Sequence, residues 1–291
     1  MPAGINLLGL LSPPQSATLS ICTMPAPYDL TGRTAIITGS SSGNGRAIAI
    51  ALAEAGVNIV GVDLNPHQPK GFEEDQPQTI DLVRDIYKVQ SAFVQGDAAK
   101  EETWEKVVAA ALQLNGRIDI LVNNAGILGK VGPLHECTLA QWNRIMDVNL
   151  TAVFLGVKAV MPTMLAQEAR PGSTRGTVIT IASNAAHHGA PDKAPYCTTK
   201  GALVSLNKAL AVDYGRQGIK SITVSPGIIA TALNAQELAD PSKCVNYRSQ
   251  TPWPRFGRVD EVGSAVLFFA SDASDYCNGT DFNMDAGYIV A

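Results

Sequence analysis

The chain has 291 residues, of which 46% are hydrophobic and 16% charged, and its formal net charge is −4 at pH 7. This length can bury a sizeable core, and the composition is typical of a globular protein and not of a disordered or fibrous one. Nucleic acids and anionic membranes bind through concentrated cations, whereas this chain has no block of basic residues. Composition therefore predicts a soluble protein that binds neither nucleic acid nor membrane.

The cysteines and histidines show no pattern typical of a disulfide framework or a metal site. Five cysteines are scattered along the chain, and no two of them form a CxxC pair. Such a set is typical of a reducing compartment, so we expect a cytoplasmic protein. Among the four histidines, His187 and His188 are adjacent, a spacing that does not suit two ligands of one ion. We therefore expect no bound metal.

Residues 1–28 differ from the rest of the chain because they carry no charge, and the first charged residue is Asp29. The apolar stretch 5–11 is short and lacks a cationic flank, so it does not have the composition of a secretory signal. We interpret residues 1–28 as a flexible N-terminal extension and residues 29–291 as one domain.

From Arg33 onwards, short apolar runs alternate with segments of helical periodicity. The predicted strands cover residues 34–38, 58–62, 92–95, 118–122, 176–182 and 219–224, with a last one ending near Met284. The predicted helices cover residues 44–56, 79–90, 101–115, 139–167, 196–214 and 261–271. This alternation indicates an α/β fold, a doubly wound, Rossmann-like parallel sheet with helices on both faces.

A glycine-rich segment, TGSSSGNG, follows the first predicted strand and leads into a helix. Gly39, Gly43 and Gly45 would let the backbone turn tightly and approach a pyrophosphate, which the free N–H groups of the helix N-terminus can bind. Asp63 ends the second predicted strand, where a carboxylate can accept both ribose hydroxyls of NAD and repel the 2′-phosphate of NADP. We therefore predict an NAD site.

Tyr196 and Lys200 stand four residues apart on a predicted helix, so their side chains share one face. A free tyrosine, with a pKa of about 10, is a poor base near neutral pH, and a nearby ammonium group favours its phenolate form. Ser183, at the end of a predicted strand, can donate a hydrogen bond to an oxygen on which charge develops. Taken singly, the pair could be an exposed helical pair and the serine a helix cap.

In order and spacing, these motifs resemble the short-chain dehydrogenase/reductase family over about residues 30–291. The resemblance implies that Asn149 supports Lys200 through a water relay, and that Lys200 also binds the nicotinamide ribose. The implied catalytic residues are Ser183, Tyr196, Lys200 and Asn149. The implied cofactor-binding residues are Gly39, Ser41, Ser42, Gly43, Asn44, Gly45, Asp63, Asp97, Ala98, Asn123, Ala125, Gly126, Tyr196, Lys200, Pro226, Gly227, Ile229 and Thr231. The chain departs from the family at Asn44, where an apolar residue is usual.

The resemblance implies an NAD-dependent alcohol dehydrogenase or ketoreductase that interconverts a small-molecule secondary alcohol and a ketone, with Tyr196 as general acid/base. Two alternatives stay open: a biosynthetic ketoreductase or epimerase-like enzyme of the same fold, and a non-catalytic NAD-sensing protein. Substrate selection is expected in the loops over residues 128–134, 184–195 and 230–256. Family members pair the helices that correspond to residues 139–167 and 196–214 between subunits, which implies a homotetramer.

Overall fold

The computed structural model describes residues 28–68, 76–170 and 173–291, with only the backbone of residues 236 and 237. The predicted extension lies outside the described residues, except for Tyr28. The strands are β1 (Thr34–Thr38), β2 (Asn58–Asp63), β3 (Ser91–Gln95), β4 (Ile120–Asn123), β5 (Gly176–Ile181), β6 (Ile219–Pro226) and β7 (Asp281–Met284). The helices are α1 (Gly43–Glu54), α2 (Thr79–Tyr87), α3 (Glu101–Asn115), α4 (Leu139–Met146), α5 (Ala152–Ala166), α6 (Ala194–Tyr214), α7 (Ala235–Leu238), α8 (Pro241–Ser249) and α9 (Val259–Ala270).

The strands form one parallel sheet in the order β3-β2-β1-β4-β5-β6-β7. The chain order reverses between β1 and β4, which are neighbours in register from Ala35 opposite Ile120 to Ile37 opposite Val122. Doubly wound sheets bind ligands at the carboxyl ends of their strands next to such a reversal. The predicted fold class is therefore confirmed, and the reversal marks the edge where a ligand site is expected.

Both faces of the sheet are covered because successive side chains of a strand point to opposite sides. In β1, Ile36 packs in one apolar layer with Trp104 of α3. Its neighbour Ile37 packs in the other layer with Ile48 of α1. All five residues of β1 are buried, which explains why the sequence shows a continuous apolar run there.

The helix predicted over residues 139–167 is interrupted. One wider π-helical turn, Asp147–Thr151, separates α4 from α5 and contains the buried Asn149. Taken together, Leu139–Ala166 is long and apolar enough to cross a membrane, but half of its apolar window is buried inside the protein. Met164 of α5, for example, packs under the sheet. Packing as a core helix therefore accounts for its apolar composition.

The segment over residues 230–256 was predicted as a loop, and this is wrong because it contains α7 and α8. The side chain of Asp240 accepts a hydrogen bond from the Ser242 amide at 2.9 Å and caps the start of α8. Pro241 occupies the first turn, where its missing N–H costs nothing. The two short helices stand outside the sheet, above its carboxyl edge.

Candidate active site

A cavity of about 620 Å³, a size usual for ligand sites, opens at the carboxyl edge of the sheet. Most of the predicted site residues line it: Gly39, Ser42, Gly43, Asn44, Asp63, Asp97, Ala98, Ala125, Gly126, Ser183, Tyr196, Lys200, Pro226, Gly227, Ile229 and Thr231. Four predicted residues, namely Ser41, Gly45, Asn123 and Asn149, stand behind this lining.

The glycine-rich turn between β1 and α1 is held by a close backbone approach. A Cβ atom on Gly45 would lie only 1.9 Å from the carbonyl oxygen of Gly39, so no larger residue fits there. Gly39 and Gly43 have φ angles of +66° and +50°, which favour glycine. The N-terminus of α1 therefore opens on the cavity, where its N–H groups and dipole favour an anionic ligand.

Asp63, at the end of β2, connects this turn with the neighbouring strand. Its Oδ2 accepts a hydrogen bond from the Ser41 amide at 3.0 Å, and its Oδ1 accepts one from the Leu64 amide at 2.8 Å. Ser41 thus acts in the site through its backbone, since its side chain is buried. The carboxylate also faces the cavity, where its negative charge acts on a bound ligand.

Asp97, after β3, lies near an arginine that the sequence reasoning missed. Oδ1 of Asp97 accepts the Ala99 amide at 2.9 Å, and its Oδ2 lies 3.9 Å from Nη1 of Arg144 on α4. Arg144 lines the cavity beside Asp97 and Ala98. No motif identifies this arginine, because it comes from a helix about fifty residues later in the chain.

Asn123, the last residue of β4, does not line the cavity. Asn123 was predicted to line the cofactor site, but it is buried, and its Nδ2 faces Oγ1 of Thr180 at 3.4 Å. Asn124 lines the cavity instead, and its Nδ2 donates to the carbonyl oxygens of Thr38 at 2.9 Å and Gly39 at 3.2 Å. Asn123 ends β4 and Asn124 follows it directly, and side chains alternate in direction along an extended chain, so Asn124 reaches the cavity and Asn123 does not.

Tyr196 and Lys200 share one face of α6, and both side chains are buried. Nζ of Lys200 lies 5.7 Å from the centre of the Tyr196 ring and donates a hydrogen bond to the carbonyl oxygen of Ile181 at 2.8 Å. Burial disfavours the charged ammonium and lowers the pKa of Lys200 to about 8. The lysine is therefore fixed at the end of β5, beside the tyrosine.

Ser183 follows β5 and serves as the cap of a 3₁₀ turn, Asn184–Ala186. Its Oγ accepts a hydrogen bond from the Ala185 amide at 3.2 Å and lies 3.4 Å from Oδ1 of Asn184. Ser183 also lines the cavity, so the cap and a role in the site are compatible. Capping fixes the hydroxyl at the end of the strand.

Asn149 lies in the π-helical turn and holds the segment that follows β4. Its Oδ1 accepts the Ile127 amide at 2.8 Å, and its Nδ2 donates to the Ile127 carbonyl at 2.9 Å and to Oγ1 of Thr199 at 3.2 Å. A Cβ atom on Gly126 would lie 3.4 Å from Oδ1 of Asn149 and 3.6 Å from Nζ of Lys200. Gly126 therefore stands between Asn149 and Lys200 and leaves space between them.

The other end of the cavity is lined by aromatic and amide side chains from separate segments. They are His188 after β5, Asn234, Asn246, Tyr247, Gln250 and Phe256 around α7 and α8, and Tyr288 after β7. Tyr247 stacks on Phe256 with ring centres 5.4 Å apart, and its hydroxyl oxygen accepts the Ile228 amide at 3.2 Å. Burial raises the pKa of Tyr247, so its hydroxyl is neutral near pH 7.

Comparison with known proteins assigns the family. A family model described as enoyl-(acyl carrier protein) reductase matches residues 39–289. The chain belongs to the short-chain dehydrogenase/reductase family. This assignment agrees with the parallel sheet and with the cavity at its carboxyl edge.

Two curated relatives in the family are dehydrogenases of alcohols. The chain is 36% identical to 2-(R)-hydroxypropyl-CoM dehydrogenase of Xanthobacter autotrophicus over 260 residues, which cover 89% of this chain and 99% of the relative. It is 33% identical to glucose 1-dehydrogenase 2 of Bacillus subtilis over 263 residues, which cover 90% and 96% of the two chains.

A crystal structure of gluconate 5-dehydrogenase from Burkholderia cenocepacia, in complex with NADP and tartrate, is similar to this fold. Its TM-score is 0.80 and its sequence identity is 36%, with 91% of this chain and 98% of that chain covered. Together, the relatives show that this short-chain dehydrogenase/reductase is an oxidoreductase of small secondary alcohols that uses a nicotinamide cofactor.

Proposed function

We propose that the protein is an NAD(H)-dependent dehydrogenase that interconverts a small-molecule secondary alcohol and its ketone, with Tyr196 as general acid/base. One observation carries the proposal: Ser183, Tyr196 and Lys200 line the same cavity into which the N-terminus of α1 opens. Hydroxyl, phenol and ammonium groups are thus gathered where a dinucleotide and an alcohol can meet. A protein that only senses NAD has no need of that set.

The residues of the cavity suit a dinucleotide. The close approach of Gly45 to Gly39 opens space for a pyrophosphate at the first turn of α1. Oδ1 of Asn44, at the cavity wall, is buried without a hydrogen-bond partner and can accept one from a ligand. Asn44 therefore suits the site, although the family usually has an apolar residue there. When bound, the nicotinamide supplies the hydride acceptor or donor of the reaction.

The chain's own residues would handle the proton and the oxygen of the substrate. Tyr196 would take the hydroxyl proton during oxidation and return it during reduction. Ser183 would donate a hydrogen bond to the same oxygen, and the positive charge of Lys200 would stabilise the phenolate of Tyr196. We assign Asn149 to a positioning role, since it fixes Ile127 and adjoins Lys200 across Gly126.

The preference for NAD over NADP rests on Asp63. Its carboxylate faces the cavity at the end of β2, where the 2′-phosphate of NADP would meet a like charge. The next residue is Leu64, which offers no cation to that phosphate. Among the described residues that line the cavity near Asp63, the cation is Arg144, and it already lies beside Asp97. Relatives that bind NADP make this assignment the first to test.

We also propose a homotetramer located in the cytoplasm, built from one domain over residues 29–291. The outer faces of α5 and α6 expose apolar side chains, with Phe154 53% and Val212 80% exposed, and a partner subunit would cover them. Cys137, Cys197 and Cys277 carry free thiols, which suits a reducing compartment. Light scattering on the purified protein measures the oligomeric state directly.

The proposal is tested by following the formation of reduced cofactor with NAD and with NADP across secondary alcohols, cyclic diols, sugars and hydroxysteroids. Matching ketones are run with NADH and NADPH. We expect turnover with NAD on one substrate class, and a collapse of turnover in Tyr196→Phe with little change in NADH affinity. A Phe variant as active as the parent would show that Tyr196 is not the base. No turnover with tight NADH binding would favour the NAD-sensing alternative.

A further inference from the structure

The end of the active-site cavity that His188, Tyr247 and Tyr288 line adjoins a second cavity of about 590 Å³, which is more open to solvent. The second cavity is lined by residues 249–252 at the end of α8 and by Ile289 and Ala291 after β7. Three residues line both cavities, namely His188, Gln250 and Tyr288. These three side chains therefore form the partition between the two spaces.

Tyr288 is the centre of this partition and is held on three sides. Its ring stacks on Tyr247 with centres 5.1 Å apart and an angle of 15° between the planes. His188 packs against it at 5.1 Å and an angle of 53°. The Tyr288 hydroxyl donates a hydrogen bond to Oε1 of Gln250 at 3.0 Å. The ring thus joins the loop that follows Ser183 to helix α8.

The backbone around Tyr288 is fixed as well. The buried carboxylate of Asp285 accepts the Gly287 amide at 3.1 Å and the Ile289 amide at 3.0 Å. Gly287 has a φ angle of +86°, and its Cα region packs against Pro252. The hydrogen bonds to Asp285 therefore fix the turn Tyr288–Val290, and this turn directs the Tyr288 ring between the two cavities.

We propose that Tyr288 determines the substrate range by closing the active-site cavity against the second cavity, so that the enzyme takes compact secondary alcohols. This inference rests on the proposed function. The cavity of about 620 Å³ has to hold a dinucleotide and the substrate together, so the volume left for the substrate is limited. A substituent that is too long meets the Tyr288 ring, and removal of the ring joins the two spaces.

The test uses the full chain and a series of secondary alcohols that differ only in the length of one substituent. The series starts from the compact alcohol that the parent oxidises best. For the parent we expect kcat/KM to fall steeply along the series. For Tyr288→Ala we expect the ratio of kcat/KM for the longest to the shortest alcohol to rise about tenfold or more, the scale at which pocket size discriminates substrates.

Two control variants separate the ring from its surroundings. Tyr288→Phe keeps the ring and loses the hydrogen bond to Gln250, so we expect the steep dependence on length to remain. Val290→Ala changes an exposed residue of the same turn and should match the parent. Thermal unfolding shows which variants are folded. If Tyr288→Ala does not fold, the dependence of kcat/KM on substituent length in the parent and in Tyr288→Phe still tests the proposal.

The inference is overturned if the parent oxidises the longest alcohol as well as the shortest, or if a folded Tyr288→Ala keeps the parent's profile. It is also overturned if Tyr288→Phe broadens the range as much as Tyr288→Ala, because the ring would then not be the barrier. A parent that oxidises no secondary alcohol with NAD or NADP contradicts the proposed function itself. That result differs from a changed length profile, so the two failures are distinguishable.

Discussion

The carboxylate of Asp63 accepts a hydrogen bond from the backbone amide of Ser41, with 3.0 Å between Oδ2 and N. This contact ties the end of β2 to the glycine-rich turn that precedes α1. The same side chain carries a negative charge into the cavity. One residue therefore has a structural and an electrostatic role, and a suitable substitution can separate them.

Asp63→Asn removes the charge and keeps one oxygen that can accept the Ser41 amide, while the hydrogen bond from the Leu64 amide is lost. Because a like charge no longer opposes the 2′-phosphate, we expect the ratio of kcat/KM for NADP to that for NAD to rise about tenfold or more, which corresponds to about 1.4 kcal/mol. Steady-state kinetics with both cofactors measure the ratio. Asp213→Asn, an exposed change on α6, is the control. An unchanged ratio in Asp63→Asn would contradict the assigned cofactor preference.

Gly45→Ala tests the close backbone approach at the start of α1. The added Cβ would lie 1.9 Å from the Gly39 carbonyl oxygen, so the turn has to shift. We expect NADH affinity, measured by fluorescence titration, to fall about tenfold or more, since the N–H groups of the turn move with it. Gly201→Ala is the matched control, because its Cβ would lie 3.8 Å from the nearest atom outside its own helix. Equal affinities in the two variants would show that the turn tolerates the shift.

Asn149→Ala tests the support of the segment after β4. The substitution leaves the partly buried Ile127 amide and carbonyl without their partner. We expect the free energy of unfolding to fall by about 2 kcal/mol or more, the usual cost of unsatisfied buried groups. Asn143→Ala, at an exposed position of α4, should change stability little. Urea unfolding measures both, and similar values for the two variants would rule out this support.

The buried Lys200 predicts a pH dependence of stability in the cofactor-free protein. Burial lowers its pKa from 10.5 to about 8, so between these values the unfolded state binds more protons than the folded one. The cost of burying the Lys200 charge therefore falls as pH rises across this window, and the free energy of unfolding increases. Relative to Lys200→Met, we expect the parent to gain about 2 kcal/mol between about pH 7.5 and about pH 9.5. Parallel pH profiles of the two proteins, measured by urea unfolding, would show that burial leaves the pKa unchanged.

The sequence predicts the sheet well because its strands are buried on both faces. The continuous apolar run of β1 and the periodicity of α3 give both elements their observed bounds. Helix α2 ends at Tyr87, three residues earlier than predicted, because Lys88 adopts a left-handed conformation with φ of +59°. That conformation has no signal in the residue type, so the boundary could not be predicted.

Parts of the site could not be predicted from the sequence, for physical reasons. Asn123 and Asn124 are the same residue type, and the sequence cannot tell which of them faces the cavity. Helix α8 is polar and short, so it lacks the apolar periodicity by which longer helices are recognised. Tyr288 comes close to His188 only through tertiary folding, since a hundred residues separate them. Contacts between residues so far apart in the chain leave no pattern in the local sequence.

The position of α7 and α8 has a consequence for how enzymes of this kind diverge. Helix α8 carries Tyr247 and is followed by Gln250, both of which line the cavity, and the two helices stand outside the sheet that places Ser183 and the α6 pair. A change in α7 or α8 leaves the strand register and the glycine-rich turn intact. The enzyme can therefore accept new alcohols while the catalytic residues keep their positions. Evolution can thus exchange substrates on a constant chemical core, and similarity averaged over the whole chain is a poor guide to the alcohol used.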